Sequence, residues 1–176
     1  MKRTRRALAG VSLLAVFIFL NTFLKQHVVI NTTESLPYGI YRKINKVPEV
    51  GNLVAVCPPL TEATKIAYER GYIKGGDCPG HYSVILKKIL AAKNDVVEIT
   101  QEGVFINRQL IPNTALMNFD GEGRPLPSAF PSLFSLGANE FFCVSDYSKY
   151  SFDGRYFGKT PAGDIESVIT PLFIWE

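Results

Sequence analysis

Short apolar runs separated by turn-forming residues constrain the fold of this chain more than any other feature. The runs are rich in β-branched and aromatic residues, a composition typical of strands. They are His27–Asn31, Ile40–Ile44, Leu53–Val56, Ser83–Leu90, Val96–Thr100, Val104–Ile106, Glu140–Val144 and Val168–Phe173. The tripeptide Gln101-Glu102-Gly103 between two of these runs predicts a tight hairpin. The sequence therefore predicts a mainly β domain.

One short helix is predicted between Cys57 and Cys78. Thr61 can cap its first turn, and Gly71 can end it in a left-handed conformation. The residues between them that follow helical spacing are Ala63, Ile66, Ala67 and Arg70. The stretch from Phe119 to Gly137 is rich in glycine, proline and serine, so we expect a long surface loop there.

The N-terminal segment predicts export. Basic residues are concentrated in residues 1–6, and the apolar segment 7–24 that follows is just long enough to cross a bilayer. No small-x-small cleavage site follows it, so we expect a retained transmembrane anchor; a cleaved signal peptide is the alternative. The basic tail would stay in the cytoplasm, and residues 25–176 would form one exported domain.

Composition excludes two classes of protein. With 47% apolar and 20% charged residues, the chain is not intrinsically disordered. The net charge is +3, but four positive charges lie in the first six residues, so the rest of the chain is about neutral. Nucleic-acid binding needs a clustered basic face on the folded domain, so we expect no nucleic-acid partner.

The three cysteines predict one disulfide and one core thiol. Cys57 and Cys78 each lie next to a proline and bracket a short segment of an exported chain, which favours a disulfide between them. Cys143 lies in the apolar run Phe-Phe-Cys-Val and is expected to be buried in a strand.

Ser35 is a candidate nucleophile shortly after the apolar segment. Pro37 holds Leu36 in an extended conformation, and Gly39 lets the backbone turn away or a substrate backbone come close. An ordinary turn serine is the alternative interpretation. A serine hydroxyl is a weak nucleophile, so a nearby general base is required.

Lysine is the best candidate for that base. His27 flanks the predicted membrane segment and His81 lies in a turn, so both are expected to be solvated. The tandem Lys87-Lys88 is embedded in an apolar run, where burial would lower a lysine pKa by penalising the charged form. Adjacent strand residues point to opposite faces, so only one of the two lysines can enter a site. Periodicity leaves open which one does.

Several elements resemble the boxes of the type I signal peptidases. They are the Ser35-x-Pro37 element after an apolar segment, the Lys87-Lys88…Asp95 stretch, and Ser151-Phe-Asp-Gly-Arg-Tyr-Phe-Gly. The Ser-Leu-Pro-x-Gly-x-Tyr element and the Cys-Pro-Pro…Cys-Pro insertion are similar to those of the conjugative-transfer branch, the TraF-like pilin-processing peptidases. The resemblance covers nearly the whole chain. It implies a signal-peptidase-like antiparallel β-sheet domain after an N-terminal transmembrane helix, single-pass in the bacterial inner membrane and facing the periplasm, with no metal or organic cofactor.

The resemblance also distinguishes the two lysines. In the family pattern, the general base is the first residue of a Lys-Arg pair, eight positions before the aspartate that ends the box. Lys87 is eight positions before Asp95, so it takes the role of base for Ser35, and Lys88 stands in place of the arginine. Asn94 replaces the usual glycine before the aspartate, and asparagine tolerates a left-handed backbone.

The family pattern implies supporting roles for five more residues, one of which is Asp95 at the end of the lysine box. Ser151 would hold the lysine through its hydroxyl, and Asp153 and Arg155 would brace its loop. A plain surface ion pair, worth at most about 1 kcal/mol, is the alternative for that pair. Thr33 would complete an oxyanion hole with the Ser35 N–H, unless it is merely a strand residue.

The implied function is cleavage of a pilin precursor. Either water or the amine of the pilin itself could resolve the acyl-enzyme, the latter giving a circular product, and the sequence leaves this open. Expected partners are the pilin precursor or another signal-peptide-bearing substrate, the lipid bilayer and proteins of the conjugation machinery. The alternatives are a general type I signal peptidase, a self-cleaving repressor protease, and a non-catalytic anchored β-domain of a pilus or secretion assembly.

Overall fold

The computed structural model describes residues 16–18, 22–127 and 131–175 and confirms a mainly β chain. The strands are β1 Val28–Asn31, β2 Gly39–Ile44, β3 Leu53–Val56, β4 Gly75–Cys78, β5 Ile85–Ala91, β6 Val96–Ile99, β7 Val104–Ile106, β8 Gln109–Ile111, β9 Leu133–Ser135, β10 Glu140–Val144, β11 Thr160–Pro161 and β12 Ile165–Ile174. The helices are α1 Glu62–Glu69 and α2 Gly154–Phe157, and residues 22–27 are also helical.

Eleven of these strands form two antiparallel sheets across the described ranges, and β4 forms isolated bridges to Tyr82. The larger sheet has seven strands in the order β1-β2-β12-β3-β5-β10-β11, and the smaller has four in the order β8-β7-β6-β9. Strand β12 lies between β2 and β3, and its register shifts between Pro171 and Phe173. A bulge accommodates a proline that cannot donate to the ladder. Strand β5 lies between β3 and β10, well inside the larger sheet, whereas β1 lies at its edge.

Each predicted run overlaps a strand, although the boundaries differ. The predicted loop from Phe119 to Gly137 is wrong at one place, where it contains a short strand. His27 is helical, and β5 starts at Ile85 instead of Ser83. Within the predicted loop from Phe119 to Gly137, β9 pairs with β6. So short a strand is determined by its pairing partner more than by its own sequence, which also explains why β4, β8 and β11 escaped prediction. The predicted hairpin is confirmed, because Thr100 N–H donates to Gly103 O at 2.9 Å between β6 and β7.

The predicted helix is confirmed as α1. Thr61 Oγ1 accepts from Thr64 N–H at 3.1 Å, and Gly71 has a φ of 77° just beyond the end of the helix. Helix α2 is a single turn that the sequence did not predict. Asp153 caps it by accepting from Arg155 N–H at 3.2 Å.

The predicted disulfide between Cys57 and Cys78 is present. The segment it brackets is called the disulfide insertion below, and it contains α1. The insertion packs against the region around α2 through a shared core that includes Ala63, Ala67, Ile73, Phe152 and Tyr156. Cys143 is a buried free thiol in β10, as predicted, and burial raises its pKa to about 12.

Most of the predicted membrane anchor, residues 7–24, lies outside the described residues, as does the whole tail 1–6. Among the helices that the structure describes, none is long and apolar enough to cross a bilayer.

Candidate active site

The alternation of β5 separates the tandem lysines. The side chain of Lys87 is buried, with 1% of its surface exposed. Lys88 points to the other face, is partly exposed, and forms an ion pair with Asp146. The structure therefore distinguishes the two lysines that periodicity left equivalent, and it places Lys87 on the buried side.

Ser35 lies in the turn that joins β1 to β2, and the residues after it hold this turn against the sheet. Leu36 is 2% exposed and packs in one core cluster with Tyr41, Ala55, Leu86 and Ile169. The Tyr41 hydroxyl donates to Pro37 O at 2.7 Å. Because Pro37 also fixes its own φ, the backbone that follows Ser35 has little conformational freedom.

The side chain of Asn31 fills the inside of this turn. Its Nδ2 donates to the carbonyl oxygens of Thr33, Leu36 and Pro37 at 2.9, 2.7 and 3.0 Å. Its Oδ1 accepts from the Thr33 N–H at 3.2 Å and from the Thr33 hydroxyl at 3.0 Å. The carboxamide thus satisfies backbone groups that the turn removes from water. Sequence reasoning missed Asn31, because a lone asparagine at a strand end gives no signal of this role.

Three polar side chains meet in a triangle. Lys87 Nζ lies 2.7 Å from Ser35 Oγ and 2.9 Å from Ser151 Oγ, and the two hydroxyl oxygens are 3.1 Å apart. All three residues are buried, and all three line the same cleft. They come from a turn, a central strand and the loop before α2.

Burial lowers the pKa of Lys87 to about 8, because the ammonium loses its hydration. The Asp153 carboxylate opposes this decrease, and the Arg155 guanidinium adds to it. A lysine with this pKa is substantially neutral at mildly alkaline pH. Its free amine can then accept a proton from the hydroxyl 2.7 Å away.

Asp153 and Arg155 form a fully buried ion pair, so the surface-pair interpretation is wrong. Both side chains are 0% exposed, and the guanidinium contacts both carboxylate oxygens, at 2.8 and 2.9 Å. The remaining guanidinium contacts are to the carbonyl oxygens of Ser151, Ala115 and Lys149. A buried pair needs this full set of hydrogen bonds to offset its desolvation. Through Ser151 O, the pair connects directly to the residue beside the lysine.

Gly154 is the first residue of α2, and packing accounts for a glycine at this position. A Cβ at this position would lie 2.9 Å from the Phe142 ring and 3.0 Å from Cys143 O. The absence of a side chain lets α2 pack directly on β10.

The other residues that the sequence singled out lie outside the triangle. Thr33 follows β1 instead of lying in a strand; it lines the cleft, and its hydroxyl contacts Asn31. Asp95 is part of a separate turn, where it accepts from Ala92 N–H at 2.9 Å. Asn94 in that turn has the expected left-handed φ, 72°. Neither histidine lines the cleft.

The cleft has a volume of about 560 Å³. The lining includes residues 29–35, residues 71–74 of the disulfide insertion, and residues 83–85, where β5 begins. Met117, Phe119 and Leu126 add apolar surface. Asp120 ties that loop to the insertion, because it accepts hydrogen bonds from the Tyr72 hydroxyl and from Arg124 Nε. In the described part of the chain, no cluster of His, Cys, Asp or Glu side chains could hold a metal ion.

A second residue missed by sequence reasoning is Ser145. It follows β10, is fully buried, and its hydroxyl donates to Ser35 O at 2.7 Å.

Comparisons with known proteins give matches over most of the chain. The model of the family described as signal peptidase, peptidase S26, matches residues 3–174. The chain is 47% identical over 146 residues to the plasmid transfer protein TraF of Escherichia coli, covering 83% of this chain and 82% of that protein. It is 31% identical over 175 residues to the conjugal transfer protein TraF of Agrobacterium tumefaciens strain 15955, covering 97% of each.

A more distant likeness is found among solved structures. The crystal structure of a signal peptidase I from Enterococcus faecalis V583 aligns with 72% of this chain and 99% of its own, at 17% identity and a TM-score of 0.39. A likeness this weak assigns no roles to residues.

Proposed function

The chain belongs to the signal peptidase S26 family, in the branch of the TraF conjugal transfer proteins, and from that premise we propose that it is a serine endopeptidase that cleaves a pilin precursor. The catalytic pair is Ser35 as nucleophile and Lys87 as general base. The observation that carries the proposal is the 2.7 Å contact between Ser35 Oγ and the Nζ of a fully buried lysine.

In the acylation step, neutral Lys87 takes the proton of the Ser35 hydroxyl while Ser35 Oγ attacks the scissile carbonyl carbon. Ser151 Oγ holds the amine through a second hydrogen bond, at 2.9 Å. The negative charge that develops on the carbonyl oxygen is stabilised by the Ser35 N–H and the Thr33 hydroxyl, a type of interaction worth about 3 kcal/mol per donor. To do this, Thr33 must release its present acceptor on Asn31.

Collapse of the tetrahedral intermediate breaks the peptide C–N bond. Lys87 returns the proton to the leaving amine, and an ester to Ser35 remains. Water or the amino terminus of the pilin then attacks this ester, and Lys87 accepts the proton of the incoming nucleophile. The first route gives a linear product and the second a circular one.

The cleft suits a substrate segment in extended conformation. Strand β1 is the edge of the larger sheet, and its residues line the wall that carries Ser35. A free edge can pair with an added strand, so main-chain hydrogen bonds would hold the substrate while its side chains alternate between the cleft and solvent. Apolar residues elsewhere in the lining of the cleft, including Ile73 and Val84, favour apolar substrate side chains.

The proposed setting is the periplasmic face of the bacterial inner membrane. Residues 7–24 would anchor the chain in the bilayer, and the catalytic domain would meet membrane-inserted precursors beside the conjugation machinery. The disulfide between Cys57 and Cys78 favours this oxidising compartment.

The experiment is a processing assay with the purified full chain, a pilin precursor and, in parallel, a general presecretory precursor. We expect Ser35→Ala and Lys87→Ala to abolish cleavage of the pilin precursor, and Lys88→Ala, on the opposite face of the same strand, to retain most of it. Undiminished cleavage by either dyad variant would refute the proposal.

The same assay separates the remaining alternatives. Equal cleavage of both precursors would indicate a general signal peptidase, and no acylation of Ser35 by a serine-directed probe would indicate a non-catalytic domain. Mass spectrometry of the cleaved pilin shows whether it is lighter by one water than the linear product, as a circular product must be.

A further inference from the structure

Ser145 links the turn that carries Ser35 to the loop that carries Ser151. Its Oγ donates to Ser35 O at 2.7 Å and accepts from the N–H groups of Tyr147 and Ser148 at 3.2 and 3.1 Å. Its own N–H donates to Asp153 Oδ2 at 3.0 Å. A serine hydroxyl has one proton and two lone pairs, so these contacts use its full hydrogen-bonding capacity. The side chain is 0% exposed, and no solvent can replace any of them.

The hydrogen bonds of Ser145 extend the backbone pairing of β5, the strand that carries Lys87. Strand β5 pairs with β10 through Lys88 and Val144, so the position of β10 is set relative to Lys87. Ser145 follows Val144 directly and extends this pairing to Ser35. On its other side, Asp153 joins Ser145 to the buried ion pair that holds the loop of Ser151.

From this connection we infer that Ser145 is a positioning residue for the nucleophile, and the inference rests on the proposed Ser35–Lys87 dyad. The hydrogen bond to Ser35 O restrains rotation about the Cα–C bond of Ser35, and the buried Leu36 side chain restrains the peptide that follows. Both restraints act on the carbonyl side of Ser35 and hold its backbone, from which the Cα–Cβ bond directs Oγ towards Lys87 Nζ. Ser145 acts through Ser35, because its own hydroxyl is fully engaged by backbone groups.

The consequence for rate follows from geometry. A displacement of about 1 Å in a reacting group can lower a rate about 100-fold. Ser145→Ala removes the restraint on Ser35 O but leaves the burial of Lys87 and the walls of the cleft unchanged. We therefore expect the acylation rate per active site to fall about 10- to 100-fold. The pH midpoint of acylation and the KM should stay within about twofold of their wild-type values, since neither the lysine environment nor the binding surface changes.

The test is burst kinetics of the full chain with p-nitrophenyl butyrate. The burst amplitude counts reactive sites and the burst rate gives acylation per site, so a loss of folded protein is separated from a loss of positioning. Ser148→Ala is the matched control, because it removes a hydroxyl from the same loop that contacts Tyr150 N–H and not Ser35. If Ser145→Ala does not fold, Ser145→Cys replaces it, since a thiol fills the site but donates only weakly.

A Ser145→Ala burst rate equal to that of the wild type, whatever its amplitude, overturns the inference, as does a shifted pH midpoint or an altered KM without loss of burst rate. A Ser35→Ala chain is measured in parallel. If it still acylates, the proposed function fails and the inference fails with it. If Ser35→Ala is inactive and Ser145→Ala acylates normally per site, only the inference fails.

Discussion

Replacing Lys87 by methionine should abolish catalysis and, at neutral pH, stabilise the folded chain. Methionine is similar in length and carries no charge, so it fits a site that is 1% exposed. The Ser35 and Ser151 hydroxyls left behind are 3.1 Å apart and can still hydrogen bond to each other. The substitution therefore removes a buried charge without leaving a buried group unpaired.

The magnitude follows from the lowered pKa of Lys87. Burial lowers this pKa from 10.5 to about 8. At about 1.36 kcal/mol per pH unit, burial disfavours the charged lysine over the neutral one by about 3 kcal/mol. Below pH 8, the lysine is charged in the folded and unfolded states, and this cost is fully present. Between pH 8 and 10.5, the folded chain has released the proton that the unfolded chain still binds, so the free energy of unfolding rises with pH.

Two numbers can be checked. The wild type should gain about 2 kcal/mol of stability from this lysine between pH 7 and pH 9.5, and the Lys87→Met variant should lack that gain. At pH 7, the variant should be more stable by about 1 to 3 kcal/mol, because the lost hydrogen bonds of the ammonium offset part of the effect.

The assay is urea unfolding followed by circular dichroism at several pH values from 7 to 9.5. The difference between variant and wild type isolates the lysine, since all other groups titrate in both chains. Lys88→Met is the control and should keep the pH dependence of the wild type. The reasoning is refuted if Lys87→Met is less stable than the wild type at pH 7, or if the difference between the two chains does not change with pH.

Further predictions concern the same network. The acylation rate, measured as burst rate, should rise about tenfold per pH unit and level off above about pH 8, and a flat profile from pH 6.5 to 8.5 would contradict the role of the buried lysine. Arg155→Met should lower the free energy of unfolding by about 3 to 5 kcal/mol, because it leaves the buried Asp153 carboxylate unpaired; an unfolding midpoint equal to that of the wild type would contradict this. Replacing Cys57 and Cys78 by serine should cost about 3 kcal/mol in urea unfolding without reductant, and no loss would mean that the bridge leaves the unfolded state unconstrained. Asn31→Asp removes the amide donor and puts a carboxylate against three carbonyl oxygens. It should therefore lower the free energy of unfolding by about 1 to 3 kcal/mol, and it should also lower the burst rate. Calorimetry and burst kinetics measure the two effects, and no change in either would contradict the role of Asn31 in the turn.

Local sequence patterns determined much of the architecture. Strand-forming runs and the turn at Gln101-Glu102-Gly103 are set by residues that are neighbours in the chain, so they were predictable. The same holds for α1, whose cap and stop lie within a few residues of it. The proline-flanked cysteines pointed to a bridge that the structure contains. Strand β9 was missed, because its pairing with β6 depends on a partner more than thirty residues away.

The candidate site, too, was predictable from the sequence only in part. The sequence by itself predicted a serine and a lysine in an apolar setting as the reactive pair, and its resemblance to a family singled out Lys87 by its spacing to Asp95. Tertiary structure alone decided which face of β5 is buried, and therefore which lysine has its pKa lowered.

Tertiary structure also decided what holds Ser35 in place. Asn31 and Ser145 are single polar residues without a motif, and their importance comes from backbone groups that folding brings to them. The Asp153–Arg155 pair is part of the site and not of the surface because folding brings the distant residue Ala115 and the preceding loop at Lys149 against it. Burial depends on contacts between residues far apart in the chain, and a linear sequence does not show those contacts.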